Sequence, residues 1–178
     1  IAKKYANDYG VKILPEQVLV SNGSSLLLYL AIRILAPPGS QVILTDPCYA
    51  CYENVVRLAG AEPVMIKLRH EDGFQLNVDD LKKRVTPKTR AMLINSPMNP
   101  TGVVFSSEVM TALAELDIPI ISDEIYADLS FEDPPCSFLS YSPQTVAIHG
   151  FSKSYAMTGW RLGYMITPLE WTSAADRL

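Results

Sequence analysis

Short runs rich in valine, isoleucine and leucine recur along this chain, separated by helix-like or turn-like stretches, and that alternation narrows the folds open to it. Runs at Val18 to Val20, Val42 to Thr45, Pro63 to Leu68, Ala91 to Asn95, Pro119 to Ser122, Thr145 to His149 and Leu162 to Thr167 read as strands. Several are continuously apolar rather than alternating, which suits strands covered on both faces. Between them the pattern predicts helices over Ser25 to Leu35, closed by Pro37-Pro38-Gly39, and over Tyr49 to Ala59, stopped by Gly60. Two more are predicted over Val78 to Val85, ahead of Thr86-Pro87, and over Ser107 to Leu116. This order predicts a three-layer α/β/α domain on a mainly parallel sheet of about seven strands. A chain of 178 residues is long enough for one such domain with a large buried sheet.

The polar and glycine-bearing clusters follow the strands in a consistent way. Ser21-Asn22-Gly23-Ser24-Ser25 follows the first strand and Asp46-Pro47-Cys48-Tyr49 the second. Ser96 to Gly102 follows the fourth, Asp123-Glu124-Ile125-Tyr126 the fifth, and Gly150 to Lys153 the sixth. In a parallel sheet these positions share the carboxyl edge, where open α/β sheets bind their ligands. Taken singly, each cluster reads as a turn. Five on one edge read as a site.

Composition removes several classes of function. A net charge of −4 argues against a general nucleic-acid binder, which needs a basic face. No apolar stretch is long enough to span a bilayer, and Ile1-Ala2-Lys3-Lys4-Tyr5 lacks the apolar core of a signal peptide. A cytoplasmic protein without nucleic-acid or membrane partners is therefore expected. Three cysteines make no disulfide framework. Cys48-Tyr49-Ala50-Cys51 is a C-x-x-C, but it lacks a second pair, and His70 and His149 lie far away in sequence, so no metal is expected. Neither a Walker pattern nor a G-x-G-x-x-G after a strand is present, which disfavours ATP and NAD.

Individual residues suggest a particular chemistry. Lys153 stands between two hydroxyl residues in the run Gly150-Phe151-Ser152-Lys153-Ser154, with Arg161 eight residues later. A lysine presented this way is a candidate Schiff-base former, and the arginine's planar fork suits a phosphate. Gly23-Ser24-Ser25 opens a helix directly after a strand, where backbone N–H groups and hydroxyls make either a phosphate cradle or an ordinary serine cap. Tyr49 offers an aromatic face at the mouth of its strand. Asp123 ends an apolar strand, so its carboxylate needs a partner: a pyridinium N–H, a helix N-terminus or an arginine would serve. Tyr126 and Asn99 could each donate a hydrogen bond to a phenolate-like oxygen.

Together these residues resemble the site of the class I/II aminotransferases, fold-type-I enzymes that use pyridoxal 5'-phosphate (PLP). The resemblance runs from about Tyr9-Gly10 to about Pro168, and its strongest elements are Asn99-Pro100-Thr101-Gly102, Asp123-Glu124-Ile125-Tyr126 and Ser152-Lys153 with Arg161. It implies that Lys153 is the Schiff-base lysine, which also carries the substrate's α-proton, and that Asp123 keeps the pyridine nitrogen protonated. It further implies that Asn99 and Tyr126 hold the ring oxygen and that Tyr49 stacks on the ring. The phosphate would be shared by Gly23, Ser24, Ser25, Ser152 or Ser154, and Arg161. Asn99-Pro100 is a candidate cis bond. Many relatives carry serine where this chain has Gly150.

On this reading residues 1–178 are the PLP-binding large domain, without the N-terminal arm and the small C-terminal domain that would grip the substrate carboxylate. The implied activity is transfer of an amino group between an amino acid and a 2-oxo acid, with a homodimer in the full-length form. Two alternatives stay open: a PLP-dependent C–S β-lyase on the same scaffold, and a non-catalytic PLP-binding sensor module of a transcription regulator.

Overall fold

The structure, a computed structural model, describes residues 1–130, 136–175 and 177. Its strands are β1 (Val18–Ser21), β2 (Gln41–Asp46), β3 (Glu62–Lys67), β4 (Thr89–Asn95), β5 (Ile120–Asp123), β6 (Thr145–Gly150) and β7 (Gly163–Ile166). Its helices are α1 (Ala2–Tyr9), α2 (Ser24–Leu35), α3 (Cys51–Leu58), α4 (Val78–Arg84), α5 (Ser107–Ala114) and α6 (Leu169–Ala175). All seven predicted strands form, in one sheet ordered β1-β7-β6-β5-β4-β2-β3. The pairs from β3 across to β6 are parallel, while β7 runs antiparallel to both β6 and β1. Two antiparallel steps restore the original direction, so β1 ends on the same edge as β2, β4, β5 and β6.

The reversal of β7 positions the site. Gly150 at the end of β6 pairs with Gly163 at the start of β7, so residues 151–162 form a connection that leaves and re-enters the sheet at one edge. Lys153 and Arg161 both lie on it.

Successive strand residues face opposite sides of a sheet, and the core divides accordingly. On one face α2, α3 and α6 cover Val42, Leu44, Leu93, Ile121, Val146, Ile148 and Met165. On the other, α4 and α5 cover Ile43, Met92, Ile94 and Ile120. That second face continues under α1, whose Tyr5 packs on Ala147, Tyr164 and Ile166. The arrangement is the expected three-layer α/β/α domain.

Helix limits differ from the sequence expectation by a residue or two. The second predicted helix starts at Cys51 rather than Tyr49, because the chain leaves β2 through a cis Asp46-Pro47 bond and turns before helical geometry begins. The fourth ends at Ala114 rather than Leu116. The helix α1 was not anticipated: it buries one side chain fully, Tyr5, and its packing face of Ala2, Tyr5 and Tyr9 spans only two turns. No helix of the described residues is long and apolar enough to cross a membrane.

Close packing at the β7–α2 junction depends on glycine. A Cβ on Gly163 would lie 2.7 Å from the Ser24 nitrogen and 2.8 Å from the Gly23 carbonyl carbon, both backbone atoms with little freedom to move. Gly163→Ala is expected to destabilise the domain by about 1–3 kcal/mol, lowering its thermal midpoint by several degrees. Gly159→Ala, whose Cβ would meet nothing within 4 Å, should change stability by less than about 0.5 kcal/mol. Thermal unfolding of the two variants side by side checks the contrast.

Candidate active site

Nine residues named from the sequence, Ser24, Ser25, Tyr49, Asn99, Asp123, Tyr126, Ser152, Lys153 and Arg161, line one cleft of about 210 Å³ at the carboxyl edge of the sheet. Gly23 lies directly behind it. Ser154 is not among the lining residues, and its hydroxyl is buried without a hydrogen-bond partner among the described residues.

The floor of the cleft is Asp123, 4% exposed at the end of β5. Its Oδ2 accepts the Tyr52 hydroxyl at 2.7 Å and its Oδ1 the Ile125 amide at 3.2 Å. Burial raises its pKa from 3.8 to about 6, against the lowering effect of these donors and of the Lys153 charge. Burial and the adjacent carboxylate push the Tyr52 phenol well above its ordinary value, so Tyr52 remains the donor.

One wall is set by a chain of amides. Asn95, at the buried end of β4, donates from Nδ2 to the Asp123 carbonyl at 2.9 Å and accepts the Asn99 backbone N–H at 2.7 Å. The Asn99 side chain then reaches the Tyr126 hydroxyl at 3.4 Å. The Asn99-Pro100 bond is cis, as are Ser96-Pro97 and Asp46-Pro47. Lys153 Nζ stands 5.6 Å from the centre of the Tyr126 ring. At the mouth the Tyr49 ring meets Tyr52 edge-on, with centroids 5.5 Å apart.

The opposite end of the cleft is electropositive. The cap position of α2 is held by Gly23 at φ 85°, and no side chain accepts from the first-turn N–H groups. The serine-cap alternative is thus not realised. Unsatisfied N–H groups at a helix start carry partial positive charge. The Arg161 guanidinium lies against the same turn: a Cβ on Gly23 would sit 2.6 Å from Nη2. Arg161 Nη1 donates to the Thr158 carbonyl at 3.3 Å, and the Thr158 hydroxyl donates to the Ser152 carbonyl at 3.2 Å, which ties both ends of the connection together. Among the described residues no carboxylate forms an ion pair with Arg161. Two positive features that face each other without a counter-charge make an anion site.

Tyr52, Asn95 and Thr158 were missed from the sequence. Asn95 had the same signal as Asp123, a polar residue closing an apolar strand. Tyr52 and Thr158 had none, because their roles come from three-dimensional contacts. At Gly150 a Cβ would meet the Ile125 side chain at 2.9 Å and the Leu162 carbonyl at 3.3 Å, so the packing here is fitted to glycine. Cys48 is half-buried and Cys51 exposed, both as free thiols. No group of three or more metal-binding side chains occurs among the described residues.

Comparison with known proteins agrees with this geometry. The family model for aminotransferase class I and II matches residues 1–178. An aspartate aminotransferase of Geobacillus stearothermophilus is 39% identical over 179 residues, covering 96% of this chain and 46% of that protein. An arginine–pyruvate transaminase of Pseudomonas aeruginosa is 38% identical over 175 residues, covering 94% of this chain and 44% of that protein. The solved aspartate aminotransferase of Thermus thermophilus with maleate superposes with a TM-score of 0.95 at 35% identity, over 99% of this chain and 47% of that one. The chain belongs to the class I and II aminotransferases, a family of PLP-dependent enzymes. It spans about half the length of the relatives it matches.

The raised pKa of Asp123 has a measurable consequence in protein free of cofactor. Its folded-state value lies above 3.8, so burying the charge costs nothing below that pH and most once pH has risen through about 6. The full cost is about 3 kcal/mol at neutral pH. Asp123→Asn should therefore raise the thermal midpoint by several degrees near pH 8 and leave it unchanged near pH 4. Unfolding curves of both proteins at the two pH values test this; an equal or lower midpoint for the variant near pH 8 would contradict it.

Proposed function

We propose that this chain is the PLP-binding large domain of an aminotransferase that moves an amino group between an amino acid and a 2-oxo acid. One observation carries the reading: Lys153, the buried carboxylate of Asp123 and the unpaired positive charge of Arg161 and the α2 start line a single cleft. The donor set fits the cofactor's chemistry at each end. The α2 N–H groups, Ser24, Ser25, Ser152 and Arg161 suit a phosphate dianion. Asp123, buried and with no cation in hydrogen-bond contact, suits the protonated nitrogen of a pyridine ring. Asn99 and Tyr126 converge where a phenolate oxygen would be held, and Tyr49 offers a ring for stacking.

When bound, PLP supplies an electron sink for the carbanion left as an amino acid loses its α-proton. With the cofactor held there, the Lys153 amine would take and return the substrate's α-proton. Asp123 holds the proton of the ring nitrogen, and Tyr52 and the Ile125 amide keep its carboxylate aimed. Asn95 holds the Asn99 loop against β5, so the oxygen-binding wall and the carboxylate floor move as one unit.

The amino-acid and 2-oxo-acid substrates, a homodimeric full-length form and a cytoplasmic location belong to the same proposal. Relatives of nearly equal identity carry names with different amino donors, aspartate in one and arginine in another. This half of the protein therefore supplies the shared chemistry, and side-chain choice rests elsewhere. Support for a partner subunit comes from the Lys153–Arg161 connection, where Trp160 is 76% and Tyr155 55% exposed beside the cleft. Large aromatic side chains in that position suit an interface.

The test uses the full-length protein with added PLP, borohydride reduction and peptide mapping, followed by amino-transfer assays with common 2-oxo acids. A reduced adduct on Lys153 and amino transfer are expected, and Lys153→Ala should lower turnover at least about a thousandfold. Release of pyruvate and ammonia from cystathionine without transfer would instead identify a β-lyase. An adduct with no turnover would point to a sensor module.

A further inference from the structure

Glu124 follows Asp123 directly, and the alternation of the strand sends its side chain to the opposite face, towards α1. It is 2% exposed, as deeply buried as Asp123, yet it has no place in the cleft. Its Oε1 accepts the Ser122 hydroxyl at 3.0 Å, the Ser137 hydroxyl at 3.0 Å and the Phe138 amide at 2.9 Å. Its Oε2 receives the Tyr5 hydroxyl of α1 at 3.4 Å. The backbone is pinned as well: the Glu124 amide donates to the Ile148 carbonyl of β6, and its carbonyl accepts the Ala127 amide. Lys4 of α1 closes the far side of the same turn by pairing with Asp128 at 2.8 Å.

A buried carboxylate is a poor source of stability, since an apolar side chain of similar volume often does as well. Three donors crowded on one oxygen serve a different purpose. With the Tyr5 hydroxyl on the other oxygen, they join β5, the 137–138 segment and α1 behind the 123–129 turn. We propose that Glu124 is a positioning residue for the cofactor cleft, whose carboxyl group locks the turn bearing Asp123 and Tyr126 onto α1 and the 137–138 segment. The inference rests on the cofactor reading above for its effect on binding, and on this geometry alone for its effect on the turn.

The lock is sensitive to pH. Burial raises Glu124 from 4.5 to about 7, although the Phe138, Ser137, Ser122 and Tyr5 donors all act to lower it. The titratable groups around it are Tyr5 and Tyr9 of α1, His149 of β6, Tyr164 of β7, Asp123 on its own strand, and the Lys4–Asp128 pair. Burial lowers His149 and raises the three tyrosines, so all four are neutral near pH 7. Glu124 therefore changes charge where these four do not, and Asp123, at about 6, titrates just below it in every protein compared. Its folded-state value lies above 4.5, so the closed turn holds the proton more tightly than an open one: the lock is strongest with the carboxyl protonated and weakens as pH rises through about 7.

The experiment compares full-length wild type, Glu124→Gln and Tyr5→Phe between about pH 5.5 and 8.5. The dissociation constant for PLP is read by absorbance titration. Hydrogen exchange over residues 123–129 and the thermal midpoint are read without cofactor. Glu124→Gln, which mimics the protonated carboxyl, should bind PLP about tenfold more tightly than wild type at the high end and about equally at the low end. Its 123–129 amides should exchange more slowly than wild type at high pH only. A ratio that does not change with pH, in binding and in exchange, would show a merely structural role and overturn the proposal, as would a ratio of one throughout. Tyr5→Phe removes a donor that favours the charged form, so the pH midpoint of both readouts should move up. It decides the matter if Glu124→Gln does not fold, and an unmoved midpoint counts against the lock. Failure of every protein to bind PLP would sink the cofactor reading, while the exchange comparison would still decide the role of Glu124.

Discussion

Burying an ionisable carboxylate at the end of an apolar strand costs free energy that nothing else in β5 recovers, and much of the surrounding structure can be understood as holding Asp123 there. Tyr52 reaches it from α3, the Ile125 amide folds back onto it, and Asn95 clamps its carbonyl from β4. These contacts lower the carboxyl's pKa only part of the way back, leaving it at about 6. A group left in that condition attracts a cationic hydrogen-bond donor. Glu124 repeats the theme on the other face of the sheet, but its donors all come from the protein, so it organises rather than binds.

The second constraint is topological. Had β7 run parallel to β6, the connection between them would have crossed the whole sheet, and Lys153 and Arg161 would have come out at opposite edges. The antiparallel step keeps residues 151–162 at one edge, and Gly163 lets β7 start in contact with the first turn of α2. The guanidinium of Arg161 is thereby pressed against uncapped helical N–H groups, with Gly23 leaving it room. Two like-signed features are brought together because the backbone there has no side chain to keep them apart.

How much of this could be read in the sequence depends on what produces each feature. Strands covered on both faces declare themselves as continuous apolar runs, so all seven were legible, as was the edge that gathers their polar ends. Strand direction is not encoded in such runs, and the reversal of β7 could not be seen in them. The helix α1 escaped because its packing face, Ala2, Tyr5 and Tyr9, spans only two turns. The cleft residues were legible where a polar side chain interrupts an apolar context, as at Asp123, or where a lysine and an arginine share one short connection. Tyr52 lies within an amphipathic helix, where a tyrosine facing the core is unremarkable in sequence. Its hydrogen bond to Asp123 exists because α3 packs over β2 and β3 on the face to which Asp123 points, within reach of the Tyr52 side chain.

Nearly every departure from ordinary folding preference in the described residues occurs near this edge. The α2 start goes without a side-chain cap, Arg161 adopts a left-handed backbone at φ 52°, and two carboxylates are buried side by side in sequence. Each would be a defect in a domain selected for stability alone. On the proposed reading, a site that holds a dianion at one end and a protonated ring nitrogen at the other needs uncompensated positive charge and uncompensated negative charge in one cleft. Such charges persist only if the protein keeps them from neutralising each other. Leu28 of α2 and the hydrogen-bonded Asn95–Asn99–Tyr126 wall line the cleft that holds both. Local instability is concentrated where binding can relieve it, and the rest of the fold obeys the rules that make the sheet readable.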